Sequence, residues 1–546
     1  MDDARSARRP AALLALAVAA VTGLSALSPA AASAPLAGAT TVVVTSATGG
    51  VEAAAAAVRT AGGTVLSRLS LIDGVGATLP TDAVLAPGYS VVANIPMSLT
   101  ASKKNPGLER EATAVREALG LGPAADQGAG TTVAVVDTGV TDVPDLAGRL
   151  QHVDVTGTWL PGQPRDAYGH GTFVAGVVAG DGSSSDDRRY AGVAPGADVL
   201  DVRVADADGS TDLVTVLAGL EEAARPEHGV DVVNLSMSSG SPLPHQIDPL
   251  TVALDRLWAQ GIVVVVPSGN DGPGTGTVTS PGSDPVLLTV GALDERLTAT
   301  RSDDVVPGFS GRGPTRQGDA KPDLVAPGRS LVSLRAPGSS ADLENPASVV
   351  DGSYFRGSGT SFSTALVSGS AALLREQHGD LRPDQVKALV TATAYGAKGL
   401  KDARDAGAGG LDLPRALATP PTQAPDAVVD SRPPGDEAVW EEFLQAVEDG
   451  DRRAAADSWA RLSLASHRWA ANSWSSHRWA ANSWSSHRWA DAGTSADEWA
   501  LRLWASHRWA SHRWAASSRW AGEDEWAASR WAASRWAASR WAGSWE

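Results

Sequence analysis

Apolar positions along this chain fall into two patterns. Between residues 105 and 417, short β-branched runs alternate with longer Ala/Leu-rich stretches; the runs include Val133–Val136, Val199–Val204, Val230–Leu235 and Ile262–Val266. Short, mostly apolar, β-branched runs of strand length describe strands buried on both faces. The helices between them describe crossovers, so the pattern predicts a parallel sheet covered on both sides. Residues 40–100 read differently. A strand-like run at Thr41–Val44 precedes an Ala-rich helical stretch from Val51 to Thr60. Gly62-Gly63 breaks the chain, and strand character returns at Val65-Leu66, Gly76–Leu79 and Val91–Ile95. This βαββ-type order predicts a small α+β module.

A further apolar run, Ala11 to Leu27, follows Arg5, Arg8 and Arg9 and precedes a crowd of small residues from Ser28 to Ala34. That arrangement predicts a secretory signal peptide within residues 1–34. Cleavage after Ala32 fits better than after Ala34, which would leave Pro35 at the new N-terminus. A membrane anchor is the competing reading, but the run falls short of the roughly 20 apolar residues a span requires. No later stretch reaches that length either. The expectation is an exported protein without a transmembrane span.

Composition sharpens the picture. The 546 residues include no Cys, which excludes a disulfide scaffold, a thiol nucleophile and Cys-ligated metal. The net charge of −17 argues against a nucleic-acid partner. Charge and tryptophan are unevenly spread: residues 459–546 hold 11 Arg, no Lys, 7 acids and 16 of the 19 Trp. The domain boundaries expected from these shifts are a signal peptide (1–34), the α+β module (35–104), the α/β domain (105–417) and a Pro-rich linker (418–437). A short helical segment (438–460), with Trp440, Phe443, Leu444 and Val447 on one side, and a repeat tail (461–546) complete the chain.

Three motifs carry candidate chemistry. Val133–Val136 leads into Asp137-Thr138-Gly139, which puts an acid at the C-terminal end of a buried strand, the edge where open α/β sheets hold their ligands. Alone, Asp137 equally fits a turn residue. Gly169-His170-Gly171-Thr172-Phe173 puts a histidine between glycines at the start of an Ala/Val-rich helix. Imidazole titrates near neutral pH and serves as a general base; a helix cap or a metal ligand is the plainer reading. Gly357-Ser358-Gly359-Thr360-Ser361 puts a serine at another helix start, where backbone N–H groups and the helix dipole favour developing negative charge.

In the order Asp, His, Ser, these motifs resemble the subtilisin-like serine proteases, or subtilases. Further stretches agree: Val265–Gly272 around Asn270, Gly192–Ala197, Phe309–Pro314 and Lys321–Gly328. The resemblance covers roughly residues 105–417. It implies a subtilisin-like three-layer α/β fold with a parallel central sheet. It also identifies residues 35–104 with the family's inhibitor-type propeptide, a small ferredoxin-like α+β unit that assists folding and blocks the cleft until it is cut. By resemblance, Ser361 attacks the peptide carbonyl, His170 shuttles the proton, and Asp137 orients the imidazole. Asn270 donates to the oxyanion. Ser236, Met237, Ser238 and Gly269 bind substrate. The end of the last strand expected in the α+β module places a cut between about Ser98 and Asn105. Phe173 stands where the family usually has His. Phe362–Leu366 stands where it usually has Met-Ala-x-Pro-His, and Ser238 and Ser239 stand where it often has Gly.

The implied function is a secreted serine endopeptidase made as a self-inhibited, autoprocessed precursor. Its partners are a polypeptide substrate and its own propeptide. No cofactor is required for catalysis. A structural calcium ion is a further expectation with Asp145 as its candidate ligand, and Asp181, Asp186 and Asp187 lie in a nearby acidic loop. The alternative reading is a non-catalytic cell-surface binding protein on the same scaffold, acting through its tail. That tail repeats Trp with a spacing of five, as in Trp469, Trp474, Trp479, Trp484 and Trp489. A five-residue period gives no single Trp stripe on a helix or a strand, so a low-complexity tail is expected, with a short-period solenoid as the competing form. Arg and Trp together suit contact with cell-wall or surface polymers.

Overall fold

A computed structural model describes residues 39–421 apart from 47–48, 87, 101–112, 123–126, 161, 242, 299 and 380, together with Glu442. The expected signal peptide, the linker beyond residue 421, the segment 438–460 apart from Glu442 and the repeat tail lie outside the described residues.

The α/β domain is built on a seven-stranded sheet. Its strands run in the spatial order Leu324–Pro327, Leu288–Leu293, Val263–Pro267, Val232–Leu235, Thr132–Asp137, Asp198–Arg203 and Leu150–Asp154. Every neighbouring pair is parallel. The valine runs form the middle of this sheet. Val133, Val135, Val232, Val233, Val264 and Val265 are all fully buried, as two-sided burial requires. The 19-residue helix Thr360–His378 packs across the strands on one face, beside the helix His170–Ala179. Leu213–Ala223 and Pro249–Ala259 pack against the sheet as well, so helices cover both sides. The helix His170–Ala179 is buried along all ten residues, which explains its near-uniform Ala, Val and Gly composition.

Residues 39–93 form a separate four-stranded antiparallel sheet. Its order is Thr64–Leu69, Gly74–Pro80, Ala39–Ser46, Tyr89–Ala93, and the helix Gly50–Thr60 lies on one face. Val42, Val44, Ala54, Ala55, Val58, Val75, Ala77 and Leu79 make its own core. The module leans on the α/β domain through polar contacts at its edge. Glu221 accepts from the Leu71 amide at 2.5 Å, Arg256 pairs with Asp73 at 2.7 Å, and Asn94 accepts from the Val214 amide at 3.0 Å.

The chain after Ala93 departs from the expected module. Pro96–Leu99 does not join the module's sheet. It forms the middle of a three-stranded sheet between Thr211–Asp212 and Met237–Ser239 of the α/β domain, antiparallel to both.

Candidate active site

Asp137 is the last residue of its strand, and His170 opens its helix. Glycines let the two elements meet. A Cβ on Gly171 would lie 2.2 Å from the Gly139 carbonyl oxygen, closer than any real side chain approaches, so only glycine admits this contact. His170 Nδ1 then lies 2.8 Å from Asp137 Oδ1 and 3.0 Å from Oδ2, with both side chains fully buried. The Thr138 amide also donates to Asp137 Oδ1 at 2.8 Å.

Asp166, which sequence reasoning passed over, ties these two elements together. Its fully buried carboxylate accepts from the Thr138 hydroxyl at 2.8 Å and the Gly169 amide at 2.6 Å through Oδ1. Through Oδ2 it accepts from the Thr172 amide at 2.8 Å and the Thr172 hydroxyl at 2.7 Å. Thr138 Oγ1 in turn accepts from the Gly171 amide, and Thr172 Oγ1 from the Thr141 amide. One carboxylate thus joins the residue after Asp137 to the first turn of the His170 helix, where negative charge is favoured. Burial pushes its pKa up, against these four hydrogen bonds. The only sequence signal was an acid four residues ahead of the histidine.

Ser361 lies in the first turn of the long helix. Its amide donates to the Thr100 carbonyl oxygen at 3.3 Å, and the Asn270 side-chain amide donates to the same oxygen. Asn270 is held for this task, because its Oδ1 accepts from the Thr360 amide at 3.1 Å and the Thr360 hydroxyl at 3.0 Å. Two donors therefore converge on one carbonyl. The Ser361 hydroxyl contacts Thr100 Oγ1 at 2.7 Å and donates to the Ser236 carbonyl at 3.5 Å. His170 Nε2 is buried without a hydrogen-bond partner among the described residues. Among the described residues the Ser361 hydroxyl thus contacts Thr100 and the Ser236 carbonyl, with no hydrogen bond to the imidazole.

The predicted substrate-binding residues gather around the same strand. The Ser236 carbonyl accepts from the Thr100 amide at 3.2 Å, and Ser236 Oγ donates to the Ser361 carbonyl at 3.2 Å. Met237 pairs with Leu99, Ser238 with Ser98, and Ser239 with Met97. Gly269, beside Asn270, takes the left-handed φ of 93° that favours glycine. The two departures Phe173 and Phe362 prove to be partners: their ring centroids are 4.1 Å apart, both are fully buried, and Phe362 lies 5.6 Å from the His170 ring. A Cβ on Gly357 would meet Phe362 at 2.7 Å, so a glycine makes room for the pair.

Asp145 is buried, and its oxygens accept from the Tyr354 hydroxyl at 2.7 Å and the Ser184 amide at 3.2 Å. Asp181 accepts from the Ser183 amide at 2.8 Å. Among the described residues, no group of three His, Asp or Glu side chains is arranged to hold a metal ion.

The subtilase family model matches residues 128–413, more than half of the chain. The chain belongs to the subtilase family. It is 43% identical over 272 residues to the serine protease AprX of Bacillus subtilis, covering 48% of this chain and 61% of that protein. It is 32% identical over 277 residues to subtilisin Savinase of Lederbergia lenta, covering 50% of this chain and 87% of that one. The crystal structure of fervidolysin from Fervidobacterium pennivorans, described as a keratinolytic enzyme related to subtilisin, is similar with a TM-score of 0.57 and 25% identity. It matches 71% of this chain and 62% of its own. This subtilase therefore spans less than two thirds of AprX and of fervidolysin. No helix among the described residues is long and apolar enough to cross a membrane.

Proposed function

We propose that this subtilase is a serine endopeptidase made as a latent precursor, and that residues 35–100 are its inhibitory prosegment. The observation that carries the reading is the Thr100 carbonyl oxygen, held between the Asn270 side-chain amide and the Ser361 backbone amide. That is how a peptide carbonyl sits when donors are arranged for the oxyanion it will become. The strand leading to it lies on the edge Met237–Ser239 as an extended peptide would.

The chemistry follows from the residues. The Ser361 hydroxyl rotates to His170 Nε2 and attacks the Thr100 carbonyl carbon as the imidazole takes its proton. Asp137 holds Nδ1–H, fixes the tautomer and stabilises the imidazolium. Asn270 and the Ser361 amide receive the oxyanion. The bond to Ala101 then breaks, its nitrogen taking the proton from His170, and water releases the Thr100 carboxylate from Ser361 by the reverse roles. The scissile bond is thus Thr100–Ala101, inside the window expected from sequence. With the Thr100 side chain engaging the Ser361 hydroxyl, the cleft is closed to other substrates until the prosegment leaves.

The test is self-processing. Purified full chain should release a product whose N-terminus is Ala101, and Ser361→Ala should remain intact. Cleavage at another bond, or equal cleavage of Ser361→Ala, would reject the assignment. Export rests on the N-terminal segment, and retention at the cell surface on the basic, Trp-rich tail. A chain truncated after Pro434 that fractionates with the cell wall as the full chain does would remove the tail's role.

A further inference from the structure

We infer that His152 is a positioning residue for the reaction: its imidazole ties the loop after Asp137 to the edge of the sheet while both ring nitrogens carry protons, and releases that loop as pH rises. The inference rests on the peptidase reading above and adds to it a residue that lies outside the three motifs.

The register of the sheet brings the groups together. Val135, Asp201 and His152 lie side by side on three neighbouring parallel strands, two positions before the row of Asp137, Arg203 and Asp154. Side chains alternate along a strand, so both rows face the same side of the sheet. His152 Nδ1 lies 2.7 Å from Asp201 Oδ2, and its Nε2 lies 3.1 Å from Oδ1 of Asp142, in the loop that follows Asp137. From the other side the same loop is bound to the His170 helix: Thr138 Oγ1 accepts from the Gly171 amide, and the Thr141 amide donates to Thr172 Oγ1. Between these ties Gly139 is closely confined. A Cβ there would lie 2.4 Å from the Arg165 carbonyl oxygen and 3.3 Å from Arg203 Cδ. A loop held from both sides with so little slack sets the position of the residue it starts from, which is Asp137.

The tie depends on a proton. A carboxylate only accepts hydrogen bonds, so an imidazole between two carboxylates must donate from both nitrogens and is then a cation. The charged groups that face it are Asp201 on the neighbouring strand, Asp142 in the loop, and Arg165 ahead of the His170 helix, whose Nε lies 3.9 Å from Asp142 Oδ2. Burial works against the imidazolium, as does Arg165; the two carboxylates outweigh them and hold its pKa above the ordinary value. Burial pushes Asp201 up to about 6, so above that pH its carboxylate is charged. The two ends of the tie are unequal, because Asp201 is 2% exposed and Asp142 is 77% exposed. Once the ring gives up one proton, the other stays on Nδ1 with the buried carboxylate, which is costly to leave unpaired. Nε2 then turns a lone pair toward Asp142, and the loop is released.

Two substitutions separate the proton from the tie. The amide of Asp142→Asn can accept from Nε2–H or donate to bare Nε2, so the tie survives deprotonation; Asp142→Ala lacks it at every pH. An exposed ion pair adds little to stability, so both variants should fold and melt close to the wild type. The measurement is turnover of labelled casein at saturation, per fluorophosphonate-titrated Ser361, on the processed enzymes from about pH 7 to about pH 10. A displacement of about 1 Å in reacting groups costs on the order of a hundredfold, and a loosened loop moves Asp137 by a fraction of that. Wild type should lose about three- to tenfold on the alkaline side, and Asp142→Asn should hold its turnover there. Asp142→Ala should already be lower by about that factor at neutral pH and change little above it. An alkaline fall that is absent in wild type or unchanged in Asp142→Asn, or an Asp142→Ala that matches wild type throughout, would overturn the inference. Labelling at Ser361 with cleavage of casein would in each of those cases leave the peptidase reading intact. A processed wild type that neither labels nor cleaves would sink both.

Discussion

Asp166→Asn tests whether one buried carboxylate sets the geometry of the Asp137–His170 pair. Either orientation of the new amide points its NH2 group at a backbone donor, Gly169 N–H on one side or Thr172 N–H on the other. The threonine hydroxyls can turn to accept; the backbone amide cannot. The expected cost is one unsatisfied buried N–H and weakened bonds at the remaining donors, together about 2–4 kcal/mol. That is within the stability margin of a folded domain, so the variant should fold at reduced temperature. The Thr138 hydroxyl, one residue after Asp137, would then lose its charged anchor. A shift of about 1 Å in reacting groups costs on the order of a hundredfold in rate. We expect kcat per fluorophosphonate-titrated site to fall about 10- to 100-fold with KM nearly unchanged, and the acidic limb of the kcat/KM pH profile to move. Thr138→Val cuts only the link to the Asp137 strand and should reproduce part of the loss; Thr138→Ser should restore it. A lowered melting temperature with kcat per titrated site, KM and pH profile all unchanged would refute the reasoning and reduce Asp166 to a helix cap.

Three further predictions follow from other parts of the molecule. Asn270→Ala removes one of two donors to the Thr100 carbonyl and should lower turnover by about 10²–10³ with little change in KM; a loss under about fivefold in steady-state assays would exclude the oxyanion role. Phe173→Leu and Phe362→Leu should be coupled, because each ring is the other's neighbour at 4.1 Å. A double-mutant cycle by denaturant unfolding should give about 0.5–1.5 kcal/mol, and additive losses would contradict the pairing. Burial, opposed by His152, pushes Asp201 up to about 6. The native state then holds that proton more firmly than the unfolded chain, so the stabilisation is present below about pH 4 and is lost as pH rises through 6. Relative to Asp201→Asn, the wild type should lose about 3 kcal/mol between those limits; a flat stability difference across pH 4–6 would contradict this.

Most of the candidate site was legible in the sequence because each candidate residue sits beside a local structural signal. Asp137 ends a valine run, and His170 and Ser361 follow glycines at helix starts. Asp166 escaped because its loop has no periodicity and its partners, Thr138, Gly169 and Thr172, converge only in space. Phe173 and Phe362 read as two unrelated departures for the same reason. The strand expected at Val91–Ile95 stopped short of the strand Pro96–Leu99, and the sheet that this second strand joins has no mark in its own sequence. Its partners, Met237–Ser239 and Thr211–Asp212, lie more than a hundred residues away, and pairing at that separation leaves no local trace. The cut is therefore legible in the sequence only as a window, and the two donors on the Thr100 carbonyl are what support the Thr100–Ala101 bond proposed above.

The central claim is that Ser361 is the nucleophile and that the segment ending at Thr100 bars it from other substrates until that segment leaves the cleft. The most direct measurement is fluorophosphonate labelling of the chain before and after processing, with the adduct located by mass spectrometry. The account predicts no label on the unprocessed chain, stoichiometric label on Ser361 in the form beginning at Ala101, and none in Ser361→Ala. A folded, fully processed chain that takes no label, or takes it at another residue, would contradict it.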